Sequence, residues 1–216
     1  MLISRRYFVV GVPLALSACA DVIKVNIPQT VSIQNTSPSI YDEVNSEPFP
    51  VDAIDTTDID PQFLRQRVPY SSKYAPGTIV VDPNARFLYL VESDGQATRY
   101  GVGVGREGFG WNGTARVGRK AAWPTWTPPS AMIKRKPELA QYANGMTGGP
   151  ENPLGARALY LYQGSKDTLY RMHGTNEPES IGQAVSSGCI RLFNQDIIDL
   201  HRRVSVNAPV IVLPHS

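Results

Sequence analysis

The chain has 216 residues, 42% of them hydrophobic, which is typical of one globular domain with additional targeting or linker segments. Its formal charge of +2 is unevenly spread: residues 21–63 carry eight acidic side chains against one lysine, whereas residues 64–216 carry eighteen basic against eleven acidic, a net +7. The second part favours anionic partners such as a carboxylate-rich polymer, although an ordinary solvated surface explains the charge equally well, and the lack of a basic stripe interleaved with aromatic residues argues against nucleic acid.

The N-terminus is typical of an export signal. Arg5 and Arg6 precede an apolar run, residues 7–18, that is too short to span a membrane permanently. Residues 16–19, Leu-Ser-Ala-Cys, resemble the lipobox of bacterial lipoproteins, which makes Cys19 the lipidated first residue of the mature chain. Ordinary cleavage after Ala20 remains an alternative, and the sequence leaves the general and twin-arginine export routes open. We therefore expect a signal over residues 1–19 and a periplasmic, membrane-anchored lipoprotein.

The segment that follows, residues 20–75, is rich in Asn, Ser, Thr, Pro and Asp and lacks periodicity, which predicts a flexible tether with at most a short helical turn at 61–67. From Gly77 the pattern alternates as strands do, with turns at Pro83-Asn84 and Asp94-Gly95. The catalytic domain is predicted to span residues 76–214. Predicted strands are 78–82, 86–92, 97–104, 157–163, 168–173 and 209–213, and the predicted helix is 194–204.

Between these elements lies a long segment, residues 106–153, that carries all three tryptophans. Loops of this length are usually functional or disordered, so the segment is interpreted either as a lid or groove wall or as a satellite packing cluster. Many short strands with one or two short helices predict a mostly β, compact sandwich or barrel-like domain.

Thiol chemistry is indicated by His173 and Cys189. Cleavage at either signal site leaves Cys189 as the single thiol of the folded domain, and imidazole is the common partner that activates a thiol. Gly188, Ser186 and Ser187 surround the sulfur with small residues that leave room for a substrate. His201 and His215 are interpreted as surface or packing residues, and the three histidines lack metal-ligand spacing.

Two other patterns are set aside. Residues 103–108 fit a dinucleotide-binding fingerprint as a string, but no predicted helix follows, so a turn-rich loop is favoured. Asp196 and Asp199 share one face of the predicted helix, which is more typical of exposed charges than of an acid/base pair.

The stretch HGTN at 173–176, followed by SSGCIRLFNQD at 186–196, resembles the L,D-transpeptidase family, the bacterial cell-wall enzymes with a YkuD-type domain. The usual family pattern is HG[ST], then S-H-G-C-[IV]-R-[ML]-x-N, and the similarity covers about Gly77 to Leu213. The resemblance implies that Cys189 is the nucleophile, His173 its base and Gly174 the carbonyl that orients the imidazole, with Arg191 shaping the substrate site. Ser187 departs from the pattern, because the family commonly has histidine there.

The implied reaction is acyl transfer on peptidoglycan stem tetrapeptides through a cysteine thioester, with release of D-alanine and without a metal or organic cofactor. The acceptor is a neighbouring stem, which gives a 3-3 cross-link, or a lysine of an outer-membrane protein. Two alternatives stay open: hydrolysis of stem peptides by an L,D-carboxypeptidase or amidase, and a peptidoglycan-binding module with a degenerate site, which the Ser187 departure motivates.

Overall fold

The structure is a computed structural model that describes residues 39–106, 110–186 and 188–214. The predicted signal with Cys19, together with Ser187 and His215, lies outside these residues. Within the described ranges, no helix combines the length and apolar character needed to cross a membrane.

The domain is mostly β, as predicted. Its strands are β1 (Gln66–Pro69), β2 (Ile79–Asp82), β3 (Phe87–Val91), β4 (Gln96–Gly101), β5 (Val104–Gly105), β6 (Gly113–Ala122), β7 (Arg157–Gln163), β8 (Lys166–His173), β9 (Ala184–Ser186), β10 (Ile190–Arg191) and β11 (Pro209–Val212). The helices are α1 (Ser130–Arg135) and α2 (Asn194–Arg203), with short 3₁₀ turns at Pro61–Phe63, Pro137–Tyr142 and Pro178–Ser180.

Nine strands form one sheet in the order β1-β4-β3-β2-β11-β6-β7-β8-β10. Neighbours are antiparallel except for β2 with β11 and β8 with β10, which are parallel. β5 and β9 pair separately as a short parallel ribbon. The chain returns to β10 beside β8 only after the loop that follows His173, and this crossover brings two distant sequence motifs to one sheet edge.

The core lies between one face of the sheet and α2. Leu159 and Leu161 alternate inward along β7, and Ile197 and Leu200 face them from α2; all four side chains are fully buried in one apolar cluster. Burying each such side chain stabilises the fold by about 1.5–3 kcal/mol. Because side chains alternate across a strand, the neighbours of Leu159 and Leu161 on β7 point to the opposite face, which is the face of the candidate site.

The long tryptophan-bearing segment differs from the prediction, because residues 113–122 form β6 in the middle of the sheet and residues 130–135 form α1. β6 has few large apolar residues to reveal it. Its cations are instead satisfied by tertiary contacts: the Arg119 guanidinium lies 3.6 Å from the ring centroid of Tyr160, and the Lys120 ammonium donates to the carbonyls of His201 and Val204 at 2.5 and 2.6 Å. Those carbonyls belong to the C-terminal end of α2, where a cation is favourable.

The predicted flexible tether is wrong over its described part, residues 39–75. β1 extends the main sheet beside β4, and Tyr41 and Val51 are 3% and 4% exposed. The Tyr41 hydroxyl donates to Asp196 at 3.1 Å and accepts the Arg65 backbone N–H at 2.6 Å. The sequence of residues 39–75 did not predict this packing because the segment is mostly polar and its few buried apolar residues are widely spaced.

Asp196 and Asp199 also differ from the prediction of exposed charges. Asp196 is fully buried, and Arg65 bridges both carboxylates, at 3.5 Å to Asp196 and 3.0 Å to Asp199. Burial raises the pKa of Asp196 to about 7, against the opposing effect of Arg65. Asp196 and Asp199 therefore have a structural role, because their ion pairs with Arg65 connect residues 39–65 to α2.

Candidate active site

The edge of the sheet brings the two sequence motifs together. His173 ends β8, and Cys189 directly precedes β10. The parallel register pairs Arg191 with His173 and Ile190 with Met172, so Cys189 lies alongside Arg171. Strand spacing and rise place the Cα atoms of His173 and Cys189 roughly 8 Å apart on the same face, a separation that their side chains can bridge.

The imidazole of His173 is held in a defined orientation. It is 5% exposed, and its Nδ1 lies 2.5 Å from the Gly174 carbonyl oxygen. Because a carbonyl can only accept, Nδ1 carries the proton and Nε2 presents a lone pair. Burial lowers the pKa of His173 to about 4, and the positive charges of Arg191 and Arg171 act in the same direction. The ring is therefore neutral at neutral pH and able to accept a proton.

Cys189 is partly exposed and is the free cysteine of the described residues. Burial raises the pKa of its thiol, while a backbone hydrogen bond from Arg171 and the charges of Arg171 and Arg191 oppose that effect. The resting site thus holds a neutral thiol beside a neutral imidazole, with no preformed ion pair. Proton transfer must accompany attack on a substrate.

Two arginines flank this pair in different ways. Arg171 is fixed by Asp167, at 2.7 and 2.9 Å, and by the face of Tyr160, 4.4 Å from the ring centroid. Arg191 pairs with Glu177 at 2.5 Å, and the Glu177 side chain is 54% exposed. An exposed partner is easily exchanged, so Arg191 is the arginine that can turn to a substrate carboxylate.

The loop before the sulfur departs from the prediction in one respect. Ser186 is 2% exposed, and its hydroxyl donates to the Cys189 carbonyl at 2.6 Å and accepts the Gly188 N–H at 3.1 Å. It therefore holds the turn and does not line a substrate site. Gly188 has a φ of 122°, a conformation that favours glycine, and its N–H is already engaged. The Cys189 N–H makes no backbone hydrogen bond to another described residue.

Asn194 is a site residue that the sequence analysis placed only at the start of the predicted helix. Its Oδ1 accepts the Ala156 N–H at 2.9 Å, and its Nδ2 donates to the Thr175 carbonyl at 3.0 Å. A Cβ atom at Gly155 or Gly174 would lie 2.2 Å from Oδ1, so both glycines are needed for this close approach. Asn194 thereby fixes the turn that carries Gly174. Its position in the motif SSGCIRLFNQD is the signal that could have identified it.

Two aromatic side chains line a cleft together with the residues on either side of Cys189. Trp111 and Tyr170 pack together with ring centroids 5.7 Å apart, and both line a narrow cleft with Gly188 and Ile190. The described part of the chain contains no group of three or more His, Cys, Asp and Glu side chains with the geometry of a metal site.

Residues 76–212 match the family of L,D-transpeptidase catalytic domains, YkuD, and the chain belongs to this family. It is 34% identical over 137 residues to the probable L,D-transpeptidase YbiS of Escherichia coli K12, an alignment that covers 62% of this chain and 43% of the relative. The putative L,D-transpeptidase YkuD of Bacillus licheniformis is 33% identical over 139 residues, covering 64% and 67%. The chain thus spans less than half the length of YbiS and about two thirds of that YkuD.

Among solved structures, a protein from Brucella melitensis named probable carnitine operon oxidoreductase caia is 49% identical, with a TM-score of 0.51. The match covers 74% of this chain and 99% of that one. That name describes the Brucella melitensis protein, whereas the family of the present chain follows from the match over residues 76–212.

Proposed function

We propose that this protein is an exported L,D-transpeptidase that acts on peptidoglycan stem tetrapeptides through a thioester at Cys189. The observation that carries the proposal is the neutral, oriented imidazole of His173 on the same sheet face as the single described thiol. Membership of the L,D-transpeptidase catalytic domain family supports the same reaction class.

In the first half-reaction, Nε2 of His173 removes the Cys189 proton as the sulfur forms a bond to the carbonyl carbon of the third stem residue. The Cys189 N–H donates to the oxyanion, a contribution of about a hundredfold or more per donor in other enzymes. The bond to the terminal D-alanine then breaks, and the imidazolium gives its proton to the leaving amine. The acyl group remains on sulfur.

In the second half-reaction, an acceptor amine attacks the thioester, the carbon–sulfur bond breaks, and the proton returns through His173 to the sulfur. An amine from a neighbouring stem gives a 3-3 cross-link, and an amine from a protein attaches that protein to the wall. Arg191, once released from Glu177, binds a carboxylate of the stem.

The proposal includes export and anchoring. Residues 1–19 direct the chain to the periplasm, Cys19 carries the lipid, and residues 76–214 form the catalytic domain, with residues 39–75 packed against it. Substitution of Cys19 with serine and radiolabelled lipid incorporation test the anchor, since only the wild-type chain is expected to take up label.

The test of the reaction is mass spectrometry of disaccharide tetrapeptides incubated with the wild-type protein and with Cys189→Ala. We expect cross-linked dimers and free D-alanine from the wild type alone. Tripeptides without dimers would assign an L,D-carboxypeptidase, and identical unchanged mixtures would favour a binding module.

A further inference from the structure

A hairpin from outside the catalytic domain contacts the start of β7. Val44 and Val51 exchange two backbone hydrogen bonds, at 2.9 and 3.1 Å, and so close a loop over residues 45–50. Val51 is 4% exposed, which anchors the base of the loop in the fold. We call residues 44–51 the N-terminal hairpin. All of it precedes residues 76–212, the part that matches the catalytic domain family.

Glu47, near the tip of the N-terminal hairpin, accepts two hydrogen bonds from the catalytic domain. Arg157 Nη2 donates to Oε1 at 2.5 Å, and the Trp123 indole Nε1 donates to Oε2 at 3.0 Å. The Glu47 and Arg157 side chains are only 12% and 13% exposed. Burial acts to raise the pKa of Glu47, but the hydrogen bonds from Arg157 and Trp123 outweigh it, and the pKa lies below its usual value. The carboxylate is therefore charged at neutral pH, and both hydrogen bonds are charge-assisted.

Trp123 is held by the same hairpin in a strained conformation. Its φ is 44°, a left-handed value that is uncommon for a large side chain. The Phe49 ring packs edge-on against the indole with centroids 5.0 Å apart, and the Trp123 N–H donates to the Ala156 carbonyl at 2.8 Å. Strain of this kind persists only where the surrounding contacts hold it, and it is concentrated at functional sites. The N-terminal hairpin supplies two of those contacts, from Glu47 and Phe49.

Arg157 connects the ion pair with Glu47 to the imidazole of His173. The Arg157 Nη1 donates to the Ala156 carbonyl at 2.8 Å, and the Arg157 carbonyl accepts the Gly174 N–H at 3.0 Å. The carbonyl of the same Gly174 lies 2.5 Å from His173 Nδ1. A shift of residues 156–157 therefore reaches the imidazole through two successive hydrogen bonds.

We propose that Glu47 is a positioning residue for the reaction at Cys189. By fixing the Arg157 side chain, Glu47 holds the backbone that binds Gly174, and so keeps His173 in the tautomer with a lone pair on Nε2. This inference rests on the proposed function, in which that lone pair takes the thiol proton. The orientation of the base thus depends on a residue outside the part of the chain that matches the family domain.

The kinetic test is single-turnover acylation of Cys189 in the full chain by disaccharide tetrapeptide, without an acceptor amine, at a temperature where each variant is folded. Because a misplacement of about 1 Å can cost a hundredfold in rate, we expect Glu47→Ala to lower the saturating rate about ten- to hundredfold. The donor concentration at half saturation should change less than about threefold, since neither Arg157 nor Trp123 lines the cleft beside Cys189. Glu47→Gln keeps an accepting oxygen but loses the charge, so its rate should lie between the other two, and it decides the question if Glu47→Ala does not fold.

The orientation of His173 is measured independently of activity from NMR spectra of the nitrogen-labelled imidazole, with His173→Gln to assign the signal. We expect the wild type to show the tautomer protonated at Nδ1, and Glu47→Ala to show a mixture with the tautomer protonated at Nε2. The control is Leu90→Ala, which removes a 4% exposed side chain of β3, a strand that neighbours neither β7 nor β8. This control lowers stability, but its acylation rate and tautomer should match those of the wild type.

An unchanged rate and tautomer in both Glu47 variants would overturn the assignment, and so would a rise in the half-saturating concentration alone. An equal loss of rate in Leu90→Ala would also overturn it, because lower stability would then explain the effect. If the wild type is not acylated, the proposed function fails, and the tautomer in Glu47→Ala then decides by itself whether Glu47 positions His173.

Discussion

Replacing Asn194 with alanine should destabilise the protein and slow its reaction together. The substitution removes an acceptor for the Ala156 N–H and a donor for the Thr175 carbonyl, at 2.9 and 3.0 Å, and both residues are buried. Each stranded buried backbone group costs about 1–3 kcal/mol, so we expect the free energy of unfolding to fall by about 2–5 kcal/mol. The released turn carries Gly174, whose carbonyl orients His173.

The assay is urea denaturation at pH 7, paired with the rate of D-alanine release at a temperature where each variant remains folded. Asn194→Asp keeps the acceptor but loses the donor, so its stability and rate should fall between those of the wild type and Asn194→Ala. Asn144→Ala, at an exposed position, is the control and should change stability by less than about 0.5 kcal/mol. A loss below about 1 kcal/mol in Asn194→Ala, with an unchanged rate, would refute the assigned role of this side chain.

Three further results are expected. Gly155→Ala should lower the free energy of unfolding by at least about 2 kcal/mol in urea denaturation. The φ angle of residue 155 is +61°, and the added Cβ would lie 2.2 Å from Asn194 Oδ1. An unchanged denaturation midpoint would contradict this packing. The rate at which iodoacetamide alkylates Cys189, followed by mass spectrometry, should be slow at pH 7 and rise about tenfold per pH unit up to pH 8.5. We expect this dependence because burial raises the pKa of the thiol. A rate independent of pH would indicate a resting thiolate. Tyr41→Phe should cost about 1–3 kcal/mol in thermal unfolding, because Asp196 and the Arg65 N–H lose a shared hydroxyl; no loss would mean that residues 39–65 do not stabilise the domain.

The pH dependence of stability provides a check on the neutral state of His173. Its pKa falls from 6.5 in the unfolded chain to about 4 in the fold, so its contribution is fully present above pH 6.5 and is lost as pH falls towards 4. Asp196 acts in the opposite direction, because its raised pKa of about 7 favours the fold below pH 3.8 and loses that effect as pH rises through 7. The difference in the free energy of unfolding between the wild type and His173→Gln, followed across this pH range, isolates the contribution of the histidine.

The sequence correctly predicted those elements in which the local pattern of apolar residues matches the residues that are buried in the fold. Alternating apolar residues and two turns identified β2, β3 and β4, and helical spacing of Ile197 and Leu200 identified α2. The family motif predicted that His173 and Cys189 belong to one site, although the sequence did not predict that β8 and β10 pair.

The elements that were missed depend on tertiary partners. β6 consists largely of glycine, alanine and cations, and its stability comes from neighbours such as Tyr160 and the end of α2. β1 and Tyr41 lie in a polar segment whose anchors meet α2 only in the folded chain. Ser186 was predicted only to leave room for a substrate, and its role in holding the turn follows from hydrogen bonds that the sequence does not reveal.

Thioester catalysis at Cys189 is tested most directly by the intact mass of the protein after incubation with disaccharide tetrapeptide and an acid quench, in the absence of an acceptor amine. We expect an adduct with the mass of the disaccharide tripeptide acyl group, mapped to Cys189, which is missing from Cys189→Ala and strongly reduced in His173→Gln. An adduct of the same mass on Cys189→Ala, or release of D-alanine by that variant at the wild-type rate, would contradict thioester catalysis at Cys189.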